Sequence, residues 1–177
     1  MVTETLLEAE LHRLAGSVPD PEMPMLTLDE LGVLRAVEVV APGRVTVRLT
    51  PTYTGCPAIE AMSADIERVL NDHGIPDVSV VTVLSPPWST DDISAEGRRK
   101  LAESGIAPPR PHDAASTASQ SDAAASGVGP VPLTLSVRCP HCGSTDTELL
   151  SRFSSTACKA LRRCVTCHEP FDHFKEL

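Results

Sequence analysis

The stretch Arg44-Val45-Thr46-Val47-Arg48-Leu49-Thr50-Pro51-Thr52-Tyr53-Thr54-Gly55-Cys56-Pro57 decides the fold class of the first part of this chain. Its first half alternates. Val45, Val47 and Leu49 fall on one face and Thr46, Arg48 and Thr50 on the other, the period of a half-buried strand. Its second half ends in a proline suited to the first position of a helix. Beyond it, the spacing of Ile59, Met62, Ile66, Val69 and Leu70 predicts an amphipathic helix that closes near Asn71-Asp72-His73-Gly74. Upstream, Val33–Val39 and the turn Ala41-Pro42-Gly43 complete a hairpin with 44–50.

Working outward, Leu6, Leu7, Leu11 and Leu14 mark a first helix that stops at Gly16. Val18-Pro19-Asp20-Pro21-Glu22-Met23-Pro24 follows, and its three prolines predict a rigid extended loop presenting Asp20 and Glu22. A third strand is expected over Val78–Leu84, and a short helix opens with Ser94 as N-cap and closes at Gly105. The order α-β-β-α-β-α implies an α+β domain, with helices on one face of a small mixed sheet. From about Pro108 to Pro132 the composition turns to Ala, Ser, Pro, Gly and Asp, from which no core can be built. The expected organisation is therefore a domain over 1–107, a flexible linker over 108–132 and a tail over 133–177.

The tail holds Cys139-Pro140-His141-Cys142 and Cys164-Val165-Thr166-Cys167. Two CxxC knuckles can close a tetrahedral four-cysteine site for one zinc ion, which makes the tail a zinc ribbon. A rubredoxin-like iron centre, or disulfides formed on oxidation, are the alternatives. A closed shell has no open position, so the metal would be structural, with His141 and His168 as solvated or outer-shell neighbours. Phe153, Phe171 and Phe174 are expected to form the small core of the ribbon.

Charge excludes several function classes. The 177-residue chain carries a net charge of −9, which repels nucleic acid and anionic membrane. From Arg138 to Leu177 six Lys/Arg face five Asp/Glu, and a zinc–tetrathiolate centre at about −2 leaves the ribbon near neutrality. The acidic start Met1-Val-Thr-Glu has no basic, apolar signal pattern, and no apolar run is long enough to cross a bilayer. A cytoplasmic location follows, where the six cysteines point to metal or thiol chemistry rather than a disulfide framework.

Cys56 is expected at or just before the N-terminus of a helix, where unpaired N–H groups and the helix dipole favour a thiolate. The competing reading is a small buried filler. A nucleophilic enzyme would also need a base, and His12 and His73 lie in no Cys–His motif. A thiolate ligand assisted by Asp20 or Glu22 needs none, although those carboxylates could equally cap their own loop. Thr50, Thr52 and Thr54 alternate, so their hydroxyls are expected along one side. Cys158, near Lys159, Arg162 and Arg163, is either a core residue or a second functional thiol.

Asp20-Pro21-Glu22-Met23-Pro24, Leu26-Thr-Leu-Asp-Glu-Leu-Gly32, Thr52-Tyr-Thr-Gly-Cys56-Pro57 and Pro86-Pro87-Trp88-Ser-Thr-Asp-Asp-Ile93-Ser94 resemble the iron–sulfur cluster assembly domain of SufT-like proteins. With the ribbon and Phe153-Ser-Ser-Thr-Ala-Cys158-Lys159-Ala-Leu161, the chain is similar to the PaaD family, the small subunit of phenylacetyl-CoA epoxidase systems. It departs from the family pattern at Ser154, where glycine is expected, at Asp92, where an aromatic is usual, and in a longer linker. The resemblance implies an accessory subunit of aerobic phenylacetate degradation rather than an enzyme. It also implies a role in maturing or delivering an iron–sulfur cluster, with the flavin and iron–sulfur reductase as partner. Cys56, Asp20 and Glu22 would hold the transient cluster, and a homodimer could share it. A structural adaptor subunit is the alternative. The chain has neither the Glu-x-x-His pairs of a di-iron catalyst nor a GxGxxG fingerprint.

Overall fold

The computed structural model describes residues 2–110 and 136–176. They divide into two units, one up to Ser104 and one over Gly105–Glu176, and each is considered by itself.

The first unit runs α1 (Val2–Gly16), α2 (Leu28–Leu31), β1 (Leu34–Ala41), β2 (Arg44–Leu49), α3 (Ala58–Asp72), β3 (Asp77–Thr82), a 3-10 turn (Thr90–Asp92) and α4 (Ala95–Glu103). The hairpin forms as expected, with Val37 paired to Val47 and Val39 to Val45. In β2 the alternation is realised, since Val45, Val47 and Leu49 are buried and Arg44 and Arg48 exposed. Gly43 turns the hairpin in the left-handed region, at φ 75°. The chain then crosses through α3 into β3, which lies parallel to β2 and completes the sheet β1-β2-β3. Ala58, Met62, Ile66 and Leu70 recur every fourth residue and form the buried stripe of α3. The opposite face of the sheet carries ion pairs instead, Arg44 with Asp77 and Arg48 with Glu38. One solvated face is ordinary for a sheet of this kind.

Several expectations shift. The third strand ends at Thr82, short of Leu84, which is 63% exposed. Leu7 is also exposed, so it does not belong to the buried side of α1, whereas Leu11 and Ala15 do. The segment 26–32 is built more firmly than a plain loop. Thr27 and Glu30 form a reciprocal capping box at the start of α2, and Gly32 ends the helix in the left-handed region. Around it, Trp88 Nε1 donates to Leu31 O at 2.9 Å, Ser94 N donates to Glu30 O at 2.9 Å, and Lys100 Nζ meets Glu30 Oε1 at 2.7 Å.

The second unit is a sheet of β4 (Ile106–Ala107), β5 (Thr147–Ser151), β6 (Lys159–Cys164) and β7 (Pro170–Phe174), ordered β4-β7-β6-β5. Ala107, Val137, Cys139, Cys164 and Phe171 form its core, with Cys167 packed against them. Phe171 and Phe174 are buried as expected, but Phe153 is 64% exposed, with Lys175 Nζ 4.7 Å from its ring centroid. Phe153 lies in the loop beyond β5, whereas Phe171 and Phe174 lie on β7.

The expected boundaries also differ. Ile106 and Ala107 pair with Asp172 and His173 of β7, so they belong to the ribbon and the division falls at Ser104. Arg110 donates to Ser136 Oγ at 2.9 Å, so the described residues on either side of the stretch expected as a linker belong to the same unit. From residue 111 to 135 it lies outside the described residues. Among the described residues no helix is long and apolar enough to cross a membrane.

Candidate metal centre and thiol site

In the second unit the two CxxC knuckles converge. The sulfurs of Cys139, Cys142, Cys164 and Cys167 all lie within 4.8 Å of one another. Cys139 Sγ is 3.8 Å from Cys167 Sγ, and Cys142 Sγ is 3.5 Å from Cys164 Sγ. Zinc–thiolate bonds of about 2.3 Å at tetrahedral angles place sulfurs about 3.8 Å apart, so the donor set fits the ion. Local structure explains the convergence. Cys139 N donates to Ser144 O and Gly143 N to Cys139 O, which curls the first knuckle, and Gly143 adopts φ 77°. His168 N returns to Cys164 O in the second knuckle, with His168 itself at φ 64°.

The electrostatics agree with a cation in the centre. The backbone N–H of Cys167 holds the Cys164 thiol down to about 6, against burial. At Cys167 the N–H of Glu169 acts in the same sense, but burial and the three neighbouring sulfurs prevail and push the thiol up to about 12. Crowded sulfurs resist ionising together unless a positive ion sits among them.

In the first unit Cys56 is half-buried. It sits one residue before Pro57, the N-cap of α3, and not on the first turn itself. Gly55, at φ 88°, turns the loop, and Cys56 N donates to Tyr53 O at 3.2 Å. Strand β2 ends at Leu49, so the period-two alternation expected to align the three threonines does not extend through them. Thr50 is buried, Thr52 half-buried and Thr54 exposed, and Thr50 Oγ1 has no hydrogen-bond partner among the described residues.

Asp20 is not presented to solvent. It is 3% exposed, and its Oδ1 accepts from Glu22 N at 2.9 Å and Met23 N at 2.6 Å. This is the loop-capping arrangement that aspartate adopts before a turn. Glu22 is half-buried. Among the described residues the group of three or more His, Cys, Asp or Glu close enough to hold an ion is the four-cysteine set, and Cys56, Asp20 and Glu22 do not form another. Cys158 is 2% exposed, with its sulfur 3.1 Å from Thr156 Oγ1. His141 and His168 are exposed and lie outside the four-sulfur set.

Both units have known counterparts. Residues 10–85 match the family model "Iron-sulfur cluster assembly protein", and residues 124–175 match "PaaD zinc beta ribbon domain". The chain is 42% identical, over 94% of its length and 91% of the relative, to a subunit of the "Putative 1,2-phenylacetyl-CoA epoxidase" of Escherichia coli K12. It is 34% identical, over 53% of its length and 90% of the relative, to an "Fe-S protein maturation auxiliary factor" of Porphyromonas gingivalis W83. The crystal structure of a DUF59 domain of unknown function from Bacillus anthracis superposes with a TM-score of 0.52 at 25% identity, covering 56% of this chain and 95% of that one. An assembly-type α+β unit and a four-cysteine β-ribbon in one chain, matched over nearly its whole length by one relative, place this protein in the PaaD family.

Proposed function

We propose that the chain is a non-catalytic accessory subunit of a phenylacetyl-CoA epoxidase system and delivers an iron–sulfur cluster to the reductase component. The names of the two relatives support the pathway and the maturation role respectively. The observation that carries the delivery reading is Cys56. It is the sole cysteine before residue 139, and it is half-buried on a loop fixed between β2 and α3. An iron–sulfur cluster takes roughly four protein ligands, and this unit supplies one thiolate. Such a unit holds a cluster only while other ligands come from a client or from a second copy. Transfer is then ligand exchange: client thiolates replace Cys56 on iron, and no electron moves. A carboxylate of the Asp20–Glu22 loop assists, with Asp20 chiefly holding the loop's shape.

Zinc is assigned to Cys139, Cys142, Cys164 and Cys167 as a structural ion, and Cys158 takes no metal in this reading. The test is iron, sulfide and zinc analysis on anaerobically purified wild type and Cys56→Ser, followed by reconstitution of apo-reductase. Equal zinc in both, with iron and reductase activation lost only in Cys56→Ser, is the expected outcome. Full activation by Cys56→Ser would remove the delivery role.

A second reading, a structural adaptor, is favoured by the ribbon's exposed Leu149, Leu150, Phe153 and Val165, which are suited to a protein contact. It predicts a stable complex with the oxygenase subunits that survives Cys56→Ser.

A further inference from the structure

The ribbon contains a group of cations that the metal centre and Cys56 leave unused. In register, His173 on β7 faces Ala160 on β6 and Ala107 on β4. Arg162 lies two residues beyond Ala160, on the same face of β6 as the cross-strand neighbour of His173. Arg110 follows shortly after β4, the strand on the other side of β7. Strands β6 and β7 and the segment that follows β4 thus bring Arg162, His173 and Arg110 to one region of a single unit, where both arginines act on the His173 ring.

The other cations of this sheet are neutralised. Lys159 pairs with Asp172 and Arg163 with Glu148. Among the described residues neither Arg110 nor Arg162 has a carboxylate within ion-pair distance. Arg110 donates to Ser136 Oγ at 2.9 Å. Arg162 reaches only Thr147 Oγ1 and Thr147 O, both at a long 3.4 Å. Each guanidinium has five donors, and among the described residues most of them have no partner beyond these bonds. His173 is held neutral by burial and by the two arginines, with its imidazole lowered to about 4. It then offers a ring N–H without adding a third full charge.

We propose that Arg110, Arg162 and His173 form a binding site for a phosphate-class oxyanion. Guanidinium forks match phosphate oxygens in geometry as well as charge, and half-burial strengthens such bonds. This site is separate from the cluster-delivery reading and does not depend on it. The competing account is that the arginines merely balance the negative zinc–thiolate centre, since Cys164 lies two residues from Arg162 on β6.

The test uses the full zinc-loaded chain and isothermal titration with two probes, inorganic phosphate and adenosine 3′,5′-bisphosphate. Saturable one-to-one binding is expected, weakened at least tenfold by Arg162→Gln and by Arg110→Gln, with zinc content unchanged in both. Tighter binding of the bisphosphate with the same arginine dependence assigns the phosphate to a nucleotide-type ligand. Equal affinities assign it to orthophosphate. No saturable binding of either probe overturns the proposal. So does an Arg162→Gln protein that binds phosphate normally but loses zinc.

Discussion

Arg35 and Asp92, 57 residues apart, meet with Nη2 and Oδ2 at 2.9 Å and tie the 3-10 turn to β1. The same Asp92 oxygen accepts Ser89 N at 2.9 Å, so one carboxylate closes a turn and anchors it. Burial raises the Asp92 carboxyl, but Arg35 and the Ser89 N–H outweigh it and hold it below the usual range. Asp92→Ala should destabilise the first unit by about 2 kcal/mol, as for loss of a charge-assisted bond, and Asp92→Asn by less. Because the folded carboxyl is lowered, this contribution is complete above about pH 4 and disappears as pH falls through the folded value. Urea midpoints at pH 7 and pH 3.5 would show it, the wild type and Asp92→Ala converging in acid.

Gly32 faces that turn from the other side. A Cβ there would lie 2.3 Å from Asp92 O, and the residue already sits at φ 73°. Gly32→Ala therefore combines left-handed strain with a backbone clash. It should cost more than the ~1 kcal/mol of the backbone conformation alone. An unfolding midpoint as high as wild type would show that the turn moves away freely.

Removing zinc should unfold the ribbon and spare the first unit, because the ribbon's core consists largely of the ligand cysteines themselves. With a strong chelator, amide signals of β5 to β7 should collapse while those of α3 persist. Cys142→Ser should behave in the same way without chelator.

His173 gives the ribbon an acid sensitivity of its own. Its imidazole is lowered from 6.5 to about 4 by burial and by Arg162 and Arg110. The unfolded chain takes up the proton first, so the ribbon loses stability as pH falls from about 6.5 towards 4. Above that window His173 contributes no pH dependence. His173→Gln should narrow the gap between melting temperatures at pH 7.5 and pH 5.5. Comparing the two proteins cancels the protonation of the thiolates, which they share.

Much of this is legible in the sequence because the signals are periodic and local. The hairpin follows from the alternation around Val47, α3 from Met62, Ile66 and Leu70, and the metal centre from two CxxC spacings. The capping box of Thr27 and Glu30 is present as T-x-x-E, a local signal just as readable in advance. What stays hidden depends on contacts between distant segments. Gly105 marks the end of the preceding helix locally, but nothing local marks Ile106-Ala107 as a strand, because only β7 makes it one. Asp20 is expected at the surface because aspartate between prolines looks solvated, yet its bonds to Glu22 and Met23 allow it to be buried. The Arg110, Arg162 and His173 group has no spacing motif, since its members come from three separate elements.

The two-residue strand β4 decides where this protein can be cut into working pieces. A fragment beginning at residue 133 would carry all four zinc ligands but leave β7 with a bare edge and the core without Ala107. Such an edge invites pairing with other chains, so that fragment should precipitate more readily than one beginning at Gly105.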